Sequence, residues 1–419
     1  MKKPLSSPPM GWNSWDCYGA AVSEEQLLIN AEYMRDNLKE YGYEYVVCDI
    51  QWYEPKAKSH EYNKFTELCM DEYSRLIPAE NRFPSSKGGK GFKPIAYKIH
   101  AMGLKFGIHI MRGIPRQAVH LNTKIMCGGV TARDIAQPFS VCAWNTDMYG
   151  IDARIKGAQE YYNSIFELYA SWGVDFIKCD DIANTEFKPH DPYSARAEIE
   201  MIRKAIENCG RDMVLSLSPG PAPVSEHEHL NRYADMWRIS GDFWDGWDRL
   251  LHMFELCNRW LPYKKRGAYP DCDMLPVGRL CLCSGGGRQT RFSENEQITM
   301  LTLWSIFTSP LFIGAAMQYN DDFTLSLLTN KDIIKMDQNS YDTRELWRDE
   351  KGALIKAMGN NCEYYALFNF EETAKEMSFE TDKLYAYEMW SGENIKAQSG
   401  KITVTVEPHC AKAFRVVDS

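Results

Sequence analysis

The sequence predicts an α/β protein, a (β/α)8 TIM barrel followed by a small antiparallel β-sandwich domain. Three observations carry this. Short apolar runs alternate with helix-period segments over the first 320 residues or so, which is the pattern of repeated βα units. Several of the runs end in charged or aromatic residues, as barrel strands do where they open into the mouth. From about Gln338 the alternation gives way to short strands separated by Gly, Asn and Ser turns. The barrel is therefore expected over residues 1–337 and the second domain over 338–419.

The first strand is read over Pro9–Trp15, with Trp15 at its outlet. Ser23 as N-cap, with Gln26 three residues on, opens a helix through Leu38 in which Leu27, Leu28, Tyr33 and Met34 recur at helical spacing. Tyr43–Trp52 is the second strand and delivers Asp49, Ile50 and Trp52. The charged stretch from Tyr53 to Lys93 is a long loop over the mouth. Its Ser85–Gly91 run lacks the Gly-Lys-Ser/Thr ending of a phosphate loop. Leu104–Met111 is the third strand, with His109 near its end, and a second insertion containing Trp144 runs from Arg112 to Gly150. A helix over Tyr161–Trp172 leads into Gly173–Asp181. That stretch has a turn glycine, then Val174, Phe176 and Ile177, then Lys178, Asp180 and Asp181. A buried parallel strand reads this way when its far end serves a site.

Met213–Gly220, Met236–Asp242 and Ala268–Leu275 are the fifth to seventh strands, the last carrying Asp271 and Asp273. A helix over Ser293–Phe307 and the run Pro310–Gly314 complete eight units. In the second domain, strands are expected over Ala353–Met358, Glu363–Phe370, Tyr385–Trp390 and Ile402–Val406.

Composition excludes several classes. The 419 residues can bury a large core, and 44% hydrophobic with 25% charged content is ordinary for a globular chain. A net charge of -9 without a basic stripe speaks against nucleic acid. No run approaches the roughly 18 apolar residues of a membrane span. The N-terminal Met-Lys-Lys-Pro-Leu-Ser-Ser-Pro-Pro-Met has no apolar run after its lysines, so a cytoplasmic protein without a secretory leader is expected. The 13 cysteines, odd in number and scattered apart from Cys281 and Cys283, then read as reduced thiols. His227-Glu-His229 would share one strand face, but no third ligand is in view, so neither a metal nor a cofactor is expected.

Asp180 is the first catalytic candidate, because a carboxylate at a barrel strand end points into the mouth. Lys178, two residues earlier on the same face, is expected to hold it ionised, as a nucleophile requires. The second key stretch is Arg238–Asp248, Arg-Ile-Ser-Gly-Asp-Phe-Trp-Asp-Gly-Trp-Asp, just after a strand. Two carboxylates set across one mouth suit glycoside hydrolysis: one attacks the anomeric carbon or activates water, the other protonates the departing oxygen. Asp181, Asp245 and Asp248 either orient such a site or solvate loop tips.

Five motifs in register make a resemblance. Pro9-Met-Gly-Trp-Asn-Ser-Trp15, Tyr43-Glu-Tyr with Asp49 and Trp52 behind it, Lys178-Cys-Asp180, Trp237-Arg-Ile-Ser-Gly-Asp242 and Pro270-Asp-Cys-Asp-Met-Leu275 resemble the ordered motifs of glycoside hydrolase family 27. That family comprises α-galactosidases, α-N-acetylgalactosaminidases and β-L-arabinopyranosidases. The resemblance implies a retaining double displacement with Asp180 as nucleophile and Asp242 as general acid/base. It implies that Lys178 holds the 3- and 4-hydroxyls, Asp49 the 4-hydroxyl and Arg238 the 2-hydroxyl side, with Trp15 as a wall and Trp52 as a further substrate contact.

Departures from the family pattern bear on the sugar. Where many α-galactosidases place a second acid for the 6-hydroxyl, this chain has Ile50. A buried hydroxyl left without a partner costs about 1–3 kcal/mol. β-L-Arabinopyranose lacks that hydroxymethyl group, so it is the favoured sugar, with weaker α-galactosidase activity expected alongside. Ser218, in place of a glutamate and followed by Pro219 and Gly220, keeps a 2-acetamido sugar open. His109, in place of a tyrosine, either touches the sugar's edge or is a packed barrel-end histidine with one hydrogen bond. The expected substrate is a small oligosaccharide or glycoside. Trp244 and Trp247 fit a subunit contact of a homo-oligomer as well as a cleft wall.

Overall fold

The computed structural model of the protein describes residues 2–182, 195–218 and 220–417, so Pro219 lies outside the described residues. Eight parallel strands form the central sheet: β1 (Met10–Asn13), β2 (Tyr45–Cys48), β3 (Lys105–Met111), β4 (Phe176–Asp180), β5 (Val214–Leu217), β6 (Met236–Arg238), β7 (Tyr269–Asp271) and β8 (Leu311–Ile313). Their order is β7-β6-β5-β4-β3-β2-β1-β8. A parallel bridge from Leu275 to Ile313 joins the two ends, so the sheet closes into a barrel.

Helices α1 (Glu24–Asn37), α2 (Lys93–Ala101), α3 (Ala158–Trp172), α4 (Arg196–Asn208), α5 (His227–Tyr233), α6 (Trp247–Trp260) and α7 (Glu294–Phe307) follow strands one to seven in turn. α8 (Asp322–Leu328) and α9 (Lys331–Asn339) follow the eighth. The expected capping box is present: the Ser23 side chain accepts from Gln26 N, and the Gln26 side chain accepts from Ser23 N. α7 carries the same device from Ser293 to Glu296. All thirteen cysteines are free thiols. No helix among the described residues is long and apolar enough to cross a membrane.

Strand alternation sorts the barrel's interior. Ile177 and Cys179 of β4 join the large apolar cluster, while Phe176 packs with Tyr45, Val47, Val214, Met236, Met274 and Phe312 in a separate one. Lys178 and Asp180 share the parity of Phe176, and so stand on the same side of the strand further toward the mouth. The barrel is therefore plugged by apolar rings and, beyond them, by charge: Asn13, Lys178, Ser216, Arg238, Asp271 and Asp273 surround a void of about 20 Å³.

After α9 the strands turn antiparallel: β9 (Tyr341–Asp349), β10 (Gly352–Gly359), β11 (Cys362–Asn369), β12 (Lys375–Glu380), β13 (Tyr385–Glu388), β14 (Asn394–Lys396), β15 (Lys401–Val406) and β16 (Ala411–Val417). Six of them form a sheet ordered β9-β10-β11-β16-β13-β14, and β12 pairs with β15. In β11, Tyr364, Ala366 and Phe368 pack into the main cluster, and Phe254 of α6 meets Phe368 edge-on at 4.9 Å. Tyr365 and Leu367 on the other face meet the β12–β15 pair, with Tyr365 stacked on Phe379 at 4.3 Å.

The His227-Glu-His229 reading needs correction. The segment opens helix α5, not a strand, so residues two apart do not share a face. His229 Nε2 meets Glu200 Oε1 at 3.1 Å instead.

Candidate active site

The strand outlets and two long loops enclose a cavity of about 470 Å³, lined in part by Trp15, Asp49, Lys178, Asp180, Arg238 and Asp242. These six, from four different strand ends, are among the residues the sequence singled out. His60 and Tyr62 from the loop after β2, Trp144 from the insertion after β3, and Trp244 and Arg249 complete much of the wall.

Asp180 ends β4 and is held at both oxygens. Oδ1 accepts the Asp181 amide at 2.8 Å, and Oδ2 lies 2.8 Å from His109 Nε2. The expected partner, Lys178, is bonded elsewhere: its Nζ donates to Asp49 Oδ2 at 2.8 Å. Lys178 thus acts on Asp180 through its field, while His109 and the backbone make the bonds. Asp49 Oδ2 also accepts Asn13 Nδ2 at 2.8 Å, and its Oδ1 accepts the Ile50 amide at 2.8 Å. Burial pushes the Asp49 carboxyl up, but the ammonium of Lys178, together with the Ile50 amide and other neighbours, outweighs it and holds the group well below the usual carboxylate range.

Arg238 at the end of β6 is the hub of the other wall. Its Nη2 donates to Asp242 Oδ1 at 2.8 Å and lies 3.4 Å from Asp273 Oδ2, while Nη1 donates to Ser218 Oγ at 3.3 Å. Asp242 remains half exposed, at 55% of its side chain, whereas Arg238 and Asp273 are each at 3%. Burial raises the Asp242 carboxyl, and the Arg238 guanidinium, with Lys178 behind it, reverses that and leaves it below its ordinary value. Asp273, fully enclosed, is pushed up.

An aromatic collar rings the mouth. Trp15 stacks on Tyr62 at 5.9 Å and 17°, Tyr62 lies 5.4 Å from Trp144, and His60 stands edge-on to both Trp15 and Trp244. Three acids, three cations and flat apolar faces around one cavity suit a ring with hydroxyls on its edge and C–H groups on its faces.

Such a site matches the comparisons. A family model described as alpha galactosidase A matches residues 149–339. The chain is 49% identical to a family 27 β-L-arabinopyranosidase of Geobacillus stearothermophilus, covering 99% of this chain and 97% of that one with a TM-score of 0.95. The chain belongs to glycoside hydrolase family 27. A structure described as a putative α-N-acetylgalactosaminidase from Bacillus halodurans is 48% identical, with a TM-score of 0.88 over 98% of this chain and 97% of that one. α-Galactosidase 2 of Arabidopsis thaliana is 24% identical, over 97% of this chain and 89% of that protein.

Four expected substrate contacts of this family 27 glycosidase lie outside the cavity wall. Trp52 is fully buried among Tyr53, Phe92 and Trp172, and its Nε1 donates to the His109 carbonyl at 2.7 Å. The chain reverses at Gln51, whose φ is 63°, and sends the indole behind the barrel. His109 is buried and grips Asp180, and Ser218 is buried and holds Arg238. Ile50, at 1% exposure, packs in the main apolar cluster, so its contribution is a missing acceptor rather than a contact. Conversely, sequence reading passed over His60, Tyr62 and Arg249 as wall residues. The density of aromatics in the mouth loops was the available signal, but no local pattern says which rings fold inward.

Proposed function

We propose that the protein is a retaining exo-glycosidase that removes terminal β-L-arabinopyranosyl residues and, more weakly, α-D-galactosyl residues. The observation that carries the reading is the unequal pair of carboxylates on one cavity. Asp180 is bonded at both oxygens by donors, which suits an ionised nucleophile, while Asp242 is half exposed with its carboxylate paired to Arg238. In the first step an Asp180 oxygen bonds to the anomeric carbon as the glycosidic bond breaks, and Asp242 gives its proton to the departing oxygen. In the second, Asp242 takes a proton from water, the water oxygen bonds to the anomeric carbon, and Asp180 leaves as carboxylate. Lys178 and Asp49 hold the hydroxyls on one edge of the sugar and Arg238 those on the other, with Trp15 against its face.

The choice of sugar rests on the strand-two outlet, where Asp49 stands alone in the wall and Ile50 supplies no acceptor for an exocyclic hydroxyl. The Geobacillus relative's activity supports the same choice. Ser218 and the Bacillus halodurans relative favour a second reading, an α-N-acetylgalactosaminidase.

The test is kcat/KM measured side by side on aryl β-L-arabinopyranoside, aryl α-D-galactopyranoside and the 2-acetamido analogue. The arabinopyranoside should lead, and Ile50→Asp should shift the ratio toward the galactoside. An unchanged ratio would refute the hydroxymethyl argument. NMR of the first-formed anomer should show retention. Asp180→Ala and Asp242→Ala should each lose on the order of 10³-fold or more in kcat, as removal of a reacting group does.

A further inference from the structure

The nucleophile's aim depends on a turn, and the turn is held from behind. Asp181 has φ 55°, a left-handed conformation that few non-glycine residues adopt, aspartate and asparagine more often than most, and in it the Asp181 amide donates to Asp180 Oδ1 at 2.8 Å. Something must hold that geometry. The neighbouring strand supplies it: Arg112, the residue after β3, is only 2% exposed and touches the turn three times. Its backbone N–H donates to the Asp180 carbonyl at 3.2 Å, its Nε donates to the Asp181 carbonyl at 2.6 Å, and its Nη2 pairs with Asp181 Oδ2 at 3.0 Å.

Arg112 is itself fixed. Nη1 donates to Glu198 Oε1 of α4 at 2.8 Å, the Tyr162 hydroxyl of α3 donates to Glu198 Oε2 at 2.6 Å, and the Gly113 amide donates to the Tyr162 oxygen at 2.9 Å. Nine-tenths and more of Arg112, Asp181 and Glu198 is buried. A buried cation with two anions is a weak source of stability but a strong source of geometry, since either carboxylate left alone would be an uncompensated charge. None of the three lines the cavity. We propose that Arg112 is a positioning residue: braced by Glu198 and Tyr162, it fixes the Asp180–Asp181 turn and so the direction of the Asp180 carboxylate. His109 and Arg112, both at the outlet of β3, then divide the task, the first holding Oδ2 and the second, through the turn, Oδ1.

The inference rests on Asp180 being the nucleophile, and its test separates the two. Wild type, Arg112→Lys and Asp181→Asn are treated with an activated fluoro-β-L-arabinopyranoside that leaves a stable covalent adduct, and the labelled residue is located by peptide mass spectrometry. Asparagine tolerates the left-handed turn, so Asp181→Asn removes the ion pair and keeps the fold. The expected result is labelling at Asp180 in wild type. In both variants the labelling rate and kcat should fall together by about 10- to 100-fold, the usual cost of a misplaced reacting group, with KM within about 3-fold. Labelling of wild type at another residue overturns the nucleophile and this inference together. Labelling at Asp180 with unchanged rates in folded variants, whatever the loss in melting temperature, leaves the nucleophile standing and makes the network merely structural.

Discussion

His109 Nε2 stands 2.8 Å from Asp180 Oδ2 with the imidazole fully buried, while His109 Nδ1 has no hydrogen-bond partner among the described residues. The pairing places a proton on Nε2, which donates to the carboxylate; a ring protonated at Nδ1 alone would strand its N–H and face two acceptors together. The imidazole therefore does for Asp180 Oδ2 what the Asp181 amide does for Oδ1.

Removing that donor tests its worth. His109→Phe should lower kcat by about 10- to 100-fold, matching roughly 1.5–3 kcal/mol for a hydrogen bond to a charged group. His109→Gln, which keeps an N–H, should recover part of the loss. Steady-state kinetics on the arabinopyranoside, with circular dichroism to verify folding, provides the check.

In the proposed mechanism, Arg238 sets the pH at which Asp242 lends its proton. Because the guanidinium holds that carboxyl below its ordinary value, the fall of kcat/KM with rising pH should lie low in wild type. In Arg238→Gln the depression is lifted, so this limb should move to higher pH even as KM rises. The pH profile of kcat/KM decides it, and a limb that stays in place would detach Arg238 from the acid/base role.

Asp271 makes a stability prediction of opposite sign to the usual carboxylate. Burial, with the negative Asp273 beside it, pushes this group from 3.8 up to about 7. The folded state therefore holds a proton that the unfolded chain has released, and stability is lost as pH rises from about 4 through 7. Asp271→Asn keeps an acceptor for the Asp273 amide, now 2.9 Å away, and cannot ionise. Its melting temperature relative to wild type should climb across that window, by an equivalent of a few kcal/mol at most.

Gly314 is required by its neighbour's bulk. A Cβ there would lie 2.1 Å from Asp16 Oδ2, an enclosed oxygen with no hydrogen-bond partner among the described residues. Gly314→Ala should cost about 1–3 kcal/mol, as overpacking does. Adding Asp16→Ala should return part of that, a coupling that a double-mutant cycle by thermal unfolding would measure.

Much of this was legible in the chain. The alternation of apolar runs located all eight barrel strands, and Ser23 with Gln26 marked the start of α1. β9 escaped because it is an exposed, charge-rich strand, Tyr-Asp-Thr-Arg-Glu-Leu-Trp-Arg-Asp, without the alternation of a half-buried one. Asp180 and Asp242 each end a motif in the sequence, and both stand on the one cavity. Trp52 was misassigned because a strand-end aromatic reads the same whether it turns into the mouth or away.

What the sequence determined by itself is the set of strands, their order along the chain and the acids at their outlets, since period and turn chemistry are local properties that need no partner to be read. What only the tertiary structure decided is who holds whom: that Lys178 grips Asp49, that His109 takes Asp180, that Ser218 serves Arg238, and that Arg112 holds the turn at Asp181. Those pairings join residues up to 129 positions apart, and a charge chooses its partner by distance in the closed barrel rather than by spacing along the chain.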